Sequence, residues 1–148
     1  LAGEAADGAV TWLCPAPYIR DVALPAMDRG AAKSGRKRPR LVGHAFVALP
    51  TDAEALKRGV EESLTYYPRL KNYQEMFVAA GLPEARNGGW SPGMIDAVVL
   101  HGDPATCEKK VRAFLATSGC DEMILSVLAT GADRTASVYS TLDWIGRL

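Results

Sequence analysis

Apolar residues are concentrated in short runs that alternate with longer amphipathic segments. Three runs, at residues 9–14, 41–49 and 120–128, are mainly apolar, the last of them at its centre. Runs of this length without polar alternation are typical of strands that are buried on both faces. The pattern therefore predicts three buried β-strands.

Helical periodicity is found between the predicted strands. Residues 17–34 carry apolar side chains at helical spacing. Pro25 lies inside this segment and is expected to kink the helix near Asp21, because proline has no backbone N–H and its ring clashes with the carbonyl four residues earlier.

The last part of the chain has clear helix boundaries. Asp103 as an N-cap and Pro104 at the first helical position predict a helix that ends at Gly119. A final helix is predicted at residues 132–146. Its inward-facing side chains are expected to be Val138, Tyr139, Leu142 and Ile145.

Residues 52–103 form a segment that is too long for one crossover helix. It is predicted to contain three helices, at residues 53–67, 70–80 and 91–99. Thr51 or Asp52 can cap the first of them. This helical excursion is rich in aromatic residues, and two interpretations stay open. It forms a lid over an apolar pocket for a bulky organic substrate, or its aromatic residues only pack the extra helices together.

The order of elements predicts an α/β fold. Apolar strands that alternate with helices favour a parallel sheet with helical crossovers. Three such units leave two long hydrophobic sheet edges. Residues 1–148 are therefore expected to be a single partial domain from a larger barrel or open sheet, and its exposed edges predict a homo-oligomer.

The composition of the chain argues against nucleic acid, membranes and metal ions as partners. Lys+Arg and Asp+Glu are both 17, so no net charge draws the chain to nucleic acid or to a membrane surface. No run approaches the ~20 apolar residues that span a bilayer. The three cysteines form no CxxC motif, which favours reduced thiols in the cytoplasm. His44 and His101 lie in different elements, so no metal site is expected.

Several sequence segments together resemble the luciferase-like monooxygenase superfamily. They are AGE-x-ADG at residues 2–8, VTWLCP at 10–15, LPAM at 24–27, GDP at 102–104 and GCDE at 119–122. The chain is most similar to the branch that uses the 8-hydroxy-5-deazaflavin coenzyme (F-420). The resemblance implies the C-terminal part, about strands 6 to 8 with their helices, of a (β/α)8 TIM barrel.

The same resemblance implies an oxidoreductase that transfers hydride between F-420 and a small organic substrate. One alternative is an FMN-dependent monooxygenase of the same superfamily that uses molecular oxygen. The other is a non-catalytic fragment or degenerate half-barrel. A complete barrel takes roughly 250 residues, so strands one to five and the phosphate-binding turn are expected to precede Leu1. The chain alone is then expected to be inactive and to bind the coenzyme poorly.

Active sites of barrel enzymes lie at the C-terminal ends of the strands. This geometry nominates residues 11–14, 46–49 and 126–130. Within the resemblance, the cofactor-binding candidates are Thr11, Trp12 and Leu13. The candidates for the substrate pocket are Cys14, His44, Phe46, Tyr66, Tyr67, Tyr73 and Phe77.

Simpler structural roles compete with these assignments. Trp12 and Cys14 could be packing residues at the end of a buried strand, and His44 could be a core histidine with satisfied hydrogen bonds. A basic cluster at residues 29–40 falls in a loop that leads from a helix into a strand. Such loops lie on the barrel face opposite the active site, which favours a solvated loop over a phosphate or nucleic-acid site.

Overall fold

A computed structural model describes residues 1–50 and 52–148. Four parallel strands form one sheet: β1 (Gly8–Val10), β2 (Arg40–Ala48), β3 (Val99–His101) and β4 (Glu122–Val127). The long strand β2 pairs with each of the other three. The prediction of a mixed α/β fold with a parallel sheet is confirmed.

The pairing register places β2 at the centre of the sheet. β4 runs beside residues 42–47 of β2, β1 beside residues 40–42, and β3 beside residues 46–48. A strand has two hydrogen-bonding edges and β4 occupies one of them. β1 and β3 therefore share the other edge, β1 at its start and β3 at its end.

Two strand predictions need correction. The sheet has four strands among the described residues. The additional strand, β3, begins at Val99, the last residue of a predicted helix, and continues to His101, which was not predicted to be in a strand. The run Val98-Val99-Leu100 is fully or almost fully buried, and such a short apolar run fits helix and strand equally well. The first strand ends at Val10 because the chain turns away soon afterwards, with Leu13 at a φ of +54°.

Eight α-helices alternate with these strands in the described residues. They are α1 (Ala2–Ala5), α2 (Ala16–Tyr18), α3 (Leu24–Lys33), α4 (Ala53–Ser63), α5 (Lys71–Ala79), α6 (Pro92–Val98), α7 (Pro104–Ser118) and α8 (Arg134–Ile145). Asp103 caps α7 by accepting a hydrogen bond from the Thr106 backbone N–H, and Gly119 ends it at a φ of +68°. Both boundaries of α7 agree with the sequence prediction.

A π-helical turn, Ile19–Ala23, joins α2 to α3. The Leu24 N–H donates to the Ile19 carbonyl five residues earlier. Pro25 follows directly and has no N–H of its own, so the regular α-helical bond to the Asp21 carbonyl is absent. The irregularity expected near Asp21 is present as this wider turn.

The segment predicted as a helical excursion is helical as far as α6. It contains α4, α5, α6 and two 3-10 turns, Tyr67–Arg69 and Pro83–Asn87. Its first helix ends at Ser63 rather than continuing to residue 67. The Asp52 side chain caps α4 by accepting from the Ala55 N–H at 2.7 Å. The other predicted cap, Thr51, lies outside the described residues.

The two faces of the sheet have different neighbours. On one face Leu41, Ala45 and Val47 pack against α3 and α7, through residues that include Met27 and Phe114. On the opposite face, side chains at the C-terminal end of β2 pack against α4, α5 and α6. The residues of this second cluster include Phe46, Ala48, Val60, Phe77, Met94 and Val98.

The first helix packs closely against α3, and the predicted inward face of the last helix is wrong. Gly3 in α1 lies so near α3 that a Cβ atom there would collide with the Met27 carbonyl oxygen. In α8, Tyr139 and Leu142 were predicted to face inward, but they are 69% and 49% exposed. Thr141 is buried in their place, and its hydroxyl donates to the Ser137 carbonyl at 2.8 Å.

Candidate functional site

A cluster of aromatic side chains lies where the chain leaves β1 and passes over the face of β2. Trp12 stacks on the imidazole of His44, with ring centroids 4.4 Å apart and planes at 27°. The edge of Phe46 meets both rings, at 5.5 Å from Trp12 and 5.0 Å from His44. His44 and Phe46 are two residues apart on β2 and so point to the same face.

The backbone around Trp12 is held from both sides. The Thr11 N–H donates to the Val42 carbonyl at 2.9 Å, and the Thr11 hydroxyl accepts from the His44 N–H at 3.1 Å. Leu13 is fully buried in the core cluster despite its left-handed φ. A non-glycine residue in this region costs of order 1–3 kcal/mol, so its packing has to offset the strain. Together these contacts fix where Trp12 lies.

Two of the three predicted tyrosines join the cluster. Tyr67 lies 6.3 Å from Trp12, and Tyr73 meets Tyr67 edge-on at 4.9 Å. Tyr66 is 74% exposed and makes no ring contact among the described residues. Phe77 is fully buried beneath the excursion, where its ring packs edge-on against Trp90 at 5.8 Å. The structure therefore brings Tyr67 and Tyr73 to Trp12 but not Tyr66 or Phe77.

Cys14 lies beside this cluster and contacts the sulfur of one methionine. Its Sγ is 3.3 Å from Met76 Sδ and donates weakly to the Trp12 carbonyl at 3.6 Å. Burial raises the pKa of the Cys14 thiol, which keeps the thiolate scarce at neutral pH. Because the thiolate is the nucleophilic form, this environment favours packing over nucleophilic catalysis.

His44 carries the one buried polar ring of the cluster. It is 2% exposed, and its Nε2 lies 2.9 Å from the hydroxyl oxygen of Ser126 on β4. Its Nδ1 is buried and has no hydrogen-bond partner among the described residues. Burial lowers the pKa of His44, so the imidazole is neutral at neutral pH.

Sequence reasoning missed the pairing of His44 with Ser126. Ser126 was nominated only as part of a strand end, because the order of strands in the sheet was unknown. Once β4 is placed beside β2, the register pairs Ser126 with Phe46, two residues beyond Ile124, which pairs with His44. The available signal was a lone serine within the apolar centre of the predicted strand, residues 123–128.

The remaining polar candidates lie elsewhere. Basic residues of the 29–40 segment pair with carboxylates: Lys33 with Glu4, Arg36 with Asp7, Arg38 with Asp28 and Asp121, and Arg40 with Glu122. His101 pairs with Asp96 at 2.5 Å on the rim of a cavity of about 400 Å³ between α4 and α6. The second histidine is thus separate from the Trp12 cluster.

The described residues contain neither a candidate metal site nor a candidate membrane span. No group of three or more His, Cys, Asp or Glu side chains could hold a metal ion. No helix in the described part of the chain is long and apolar enough to cross a membrane.

Comparison with known proteins gives one family match and several structural neighbours. A family model described as luciferase-like monooxygenase matches residues 1–122. An F-420-dependent secondary alcohol dehydrogenase, solved with an F-420–acetone adduct, superposes with a TM-score of 0.66 at 12% identity. The alignment covers 95% of this chain and 43% of that one.

A second neighbour is the FMN-bound oxygenating constituent of 3,6-diketocamphane monooxygenase from Pseudomonas putida. Its TM-score is 0.58 at 21% identity, covering 97% of this chain and 42% of that one. The chain thus spans about two fifths of the length of these solved structures. A search for relatives among curated proteins found no match.

Proposed function

The chain belongs to the luciferase-like monooxygenase family, and from that premise we propose that the protein containing it is a flavin- or deazaflavin-dependent oxidoreductase. The preferred coenzyme is F-420, and the reaction is hydride transfer between it and a small organic substrate. The observation that carries this proposal is Trp12 stacked on His44 beside the C-terminal part of a parallel sheet.

The placement of the cluster supports a site of this kind. We assign β1, β2 and β4 to strands six, seven and eight of a (β/α)8 barrel, with β3 as a short addition at the edge of β2. In such barrels the C-terminal ends of the strands carry the active site. Trp12 follows the end of β1 directly, and Phe46 lies near the end of β2.

The residues present fit the ring system of the coenzyme. Trp12 is 41% exposed although one face lies on His44, which leaves aromatic surface for a planar ring. His44 and Ser126 provide a polar pair beside that surface. The cluster contains no lysine or arginine, so the phosphate groups of either coenzyme would be held by other parts of the protein.

Each residue of the cluster has a distinct role in this proposal. A bound deazaflavin would supply the hydride carrier, as cofactors generally supply the chemistry that side chains lack. Trp12 orients the ring by contact. Tyr67 and Tyr73 close an apolar pocket for the organic substrate and keep water from it.

Coenzyme titration tests the proposal. The complete natural protein is titrated with F-420 and with FMN, and binding is followed by absorbance and by tryptophan fluorescence. Trp12→Ala should weaken binding about tenfold, the equivalent of ~1.4 kcal/mol, by removing the aromatic contact. Tyr139→Ala, which removes an exposed aromatic ring on α8, is the control and should leave affinity unchanged. Unaltered affinity of the Trp12 variant would remove this residue from the site.

The same titration separates F-420 from FMN. The neighbour that binds FMN has the higher sequence identity, 21% against 12%, so an FMN-dependent monooxygenase is the second candidate. Tight FMN binding without F-420 binding would replace the first candidate with the second. Absence of binding to both coenzymes would favour a non-catalytic role.

Location and assembly complete the proposal. All three cysteines are free, the state expected in a reducing cytoplasm. Val10 on β1 and Ile124 on β4 are 63% and 43% exposed, and exposed apolar strands favour self-association. We therefore propose a cytoplasmic location and self-association of this chain as a homo-oligomer, a state that analytical ultracentrifugation measures directly.

A further inference from the structure

His44 is a buried polar side chain in an apolar setting. It lies under Trp12 and beside Phe46, and its Nδ1 makes no hydrogen bond among the described residues. A buried polar atom without a partner costs about 1–3 kcal/mol. Such an atom in a native fold calls for an explanation, and orientation of a functional group is a common one.

The missing partner of Nδ1 indicates the tautomer of the ring. A neutral imidazole carries its proton on one nitrogen only. Buried donors without acceptors are rarer in proteins than buried acceptors without donors. The proton therefore belongs on Nε2, where it is donated to the Ser126 hydroxyl oxygen at 2.9 Å.

This tautomer leaves the Ser126 proton unused. The hydroxyl oxygen accepts from His44, and Ser126 has no second hydrogen-bond partner among the described residues. Ser126 is partly exposed and in register with Phe46, so its side chain lies on the same sheet face as His44 and Phe46. The site thus presents one unused O–H donor, hydrogen-bonded to the imidazole on which Trp12 stacks.

We propose that Ser126 donates this hydrogen bond to a carbonyl oxygen of the bound coenzyme ring, and that His44 is the positioning residue that orients the Ser126 hydroxyl. The inference rests on the proposed function, since both F-420 and FMN carry ring carbonyls. It adds a binding contact from β4 to the aromatic contact from Trp12.

His44 does not act as an acid or base in this arrangement. Nε2 faces Ser126, and Nδ1 is buried with no group in the described part of the chain to pass a proton to. The lowered pKa of His44 agrees with a ring that stays neutral. In the described part of the chain, His44 therefore serves to hold the serine oxygen.

Four variants of the complete natural protein test the hydrogen bond. Ser126→Ala should weaken F-420 or FMN binding about three- to tenfold, the loss of one neutral hydrogen bond. Ser126→Thr keeps the hydroxyl and should stay within about threefold of wild type. His44→Gln places an amide N–H near the position of Nε2 and should also stay close to wild type, whereas His44→Leu should resemble Ser126→Ala. Ser140→Ala on the exposed side of α8 is the matched control.

Nitrogen NMR of the imidazole gives a readout that does not depend on the coenzyme. The ¹⁵N shifts of His44 should report a neutral ring protonated on Nε2, and a proton on Nδ1 would overturn the assignment.

The binding measurements separate this inference from the proposed function. If wild type and Ser126→Ala bind the coenzyme with equal affinity, the hydrogen bond is rejected and the proposed function stands. Failure of the wild type to bind F-420 and FMN would reject the proposed function, and this inference with it.

Discussion

The two faces of the sheet differ in the polarity and the exposure of their side chains. The face toward α3 and α7 is apolar, and Leu41, Ala45 and Val47 are at most 2% exposed. The opposite face of the same strand carries His44, and its neighbours Trp12 and Ile124 remain more than 40% exposed. Residues that alternate along β2 therefore divide between an apolar face and the face that carries His44. On this second face, called the site face, packing against α4, α5 and α6 is combined with a candidate binding site.

The difference between the two faces follows from the kinds of group that each face buries. We call the face toward α3 and α7 the helix-covered face. Its apolar residues gain free energy from burial, and among the described residues no buried side-chain polar atom is left unpaired there. The opposite face accepts a buried imidazole with an unpaired nitrogen and a left-handed Leu13. Such costs persist where the surrounding fold holds them in place, and they concentrate at functional sites. Substitutions on the two faces should separate stability from binding.

The largest expected effect is on the helix-covered face. Phe114 is 6% exposed and its ring lies against Gly43 of β2. Phe114→Ala should lower the free energy of unfolding by about 3–5 kcal/mol, because it opens a cavity between α7 and the sheet. Urea unfolding followed by circular dichroism measures the change.

Trp12→Ala on the opposite face provides the contrast to Phe114→Ala. It removes a larger ring, but that ring is 41% exposed, so the loss of stability should be clearly smaller. Equal destabilisation by the two variants would contradict the division of the faces.

Leu13→Ala is expected to affect both properties. The leucine is fully buried among residues of the core cluster that includes Phe46 and Leu64. Truncation to alanine should cost about 2–5 kcal/mol while the left-handed backbone strain stays. The segment that carries Trp12 loses its anchor, so coenzyme affinity should fall as well.

The test for Leu13 is a comparison of the two readouts in one variant. Urea unfolding and coenzyme titration are run on Leu13→Ala and on Leu41→Ala, a leucine of similar burial on the helix-covered face. Both variants should lose stability, but only Leu13→Ala should lose affinity. Intact coenzyme binding in Leu13→Ala would show that the packing of this side chain does not position Trp12.

The sequence was sufficient for the family and for most of the fold. The luciferase-like prediction, made from short segments such as AGE-x-ADG, is confirmed by the family match over residues 1–122. The parallel sheet and the boundaries of α7 followed from apolar runs and from Asp103 and Gly119, since these signals are local. The role of Gly3 was not visible, because its close approach to Met27 depends on the packing of α1 against α3.

The details of the site depended on non-local geometry. The sequence nominated Trp12, His44 and Phe46, which the structure brings into contact. It did not pair His44 with Ser126, because residues 82 positions apart meet only through the β2–β4 register. Tyr66 and Tyr67 are adjacent in sequence and equally aromatic, so composition could not tell which of them turns toward Trp12. The site assignments as a whole stay predictions until binding is measured.

Gly3→Ala should have an intermediate effect on the free energy of unfolding and no effect on coenzyme binding at the site face. Alanine is normally the better helix residue by ~1 kcal/mol, but here its Cβ would collide with the Met27 carbonyl oxygen. Relief of the collision requires α1 and α3 to separate, at an expected net cost of about 1–3 kcal/mol. Gly89→Ala, at a glycine with open space around it, is the control. A stabilised Gly3→Ala variant would contradict the close packing of the two helices.

The smallest expected effect is the pH dependence that His44 adds to stability. Burial lowers the pKa of His44 in the folded state below the reference value of 6.5 that applies to the unfolded chain. As the pH falls through 6.5, the unfolded chain therefore takes up a proton that the folded chain does not. Folding stability should fall across this range and level off once the pH is below the folded pKa.

His44→Gln tests this pH dependence because glutamine does not titrate. At pH 8 the variant should stay within about 1 kcal/mol of wild type, since the amide can keep the bond to Ser126. Between pH 6.5 and 5 its stability should decline less than that of wild type, measured by urea unfolding at each pH. Parallel profiles for the two proteins would mean that His44 titrates normally and is open to water. The site face would then have no imidazole that is buried away from water. The difference between this face and the helix-covered face would rest on Trp12 and Leu13 alone.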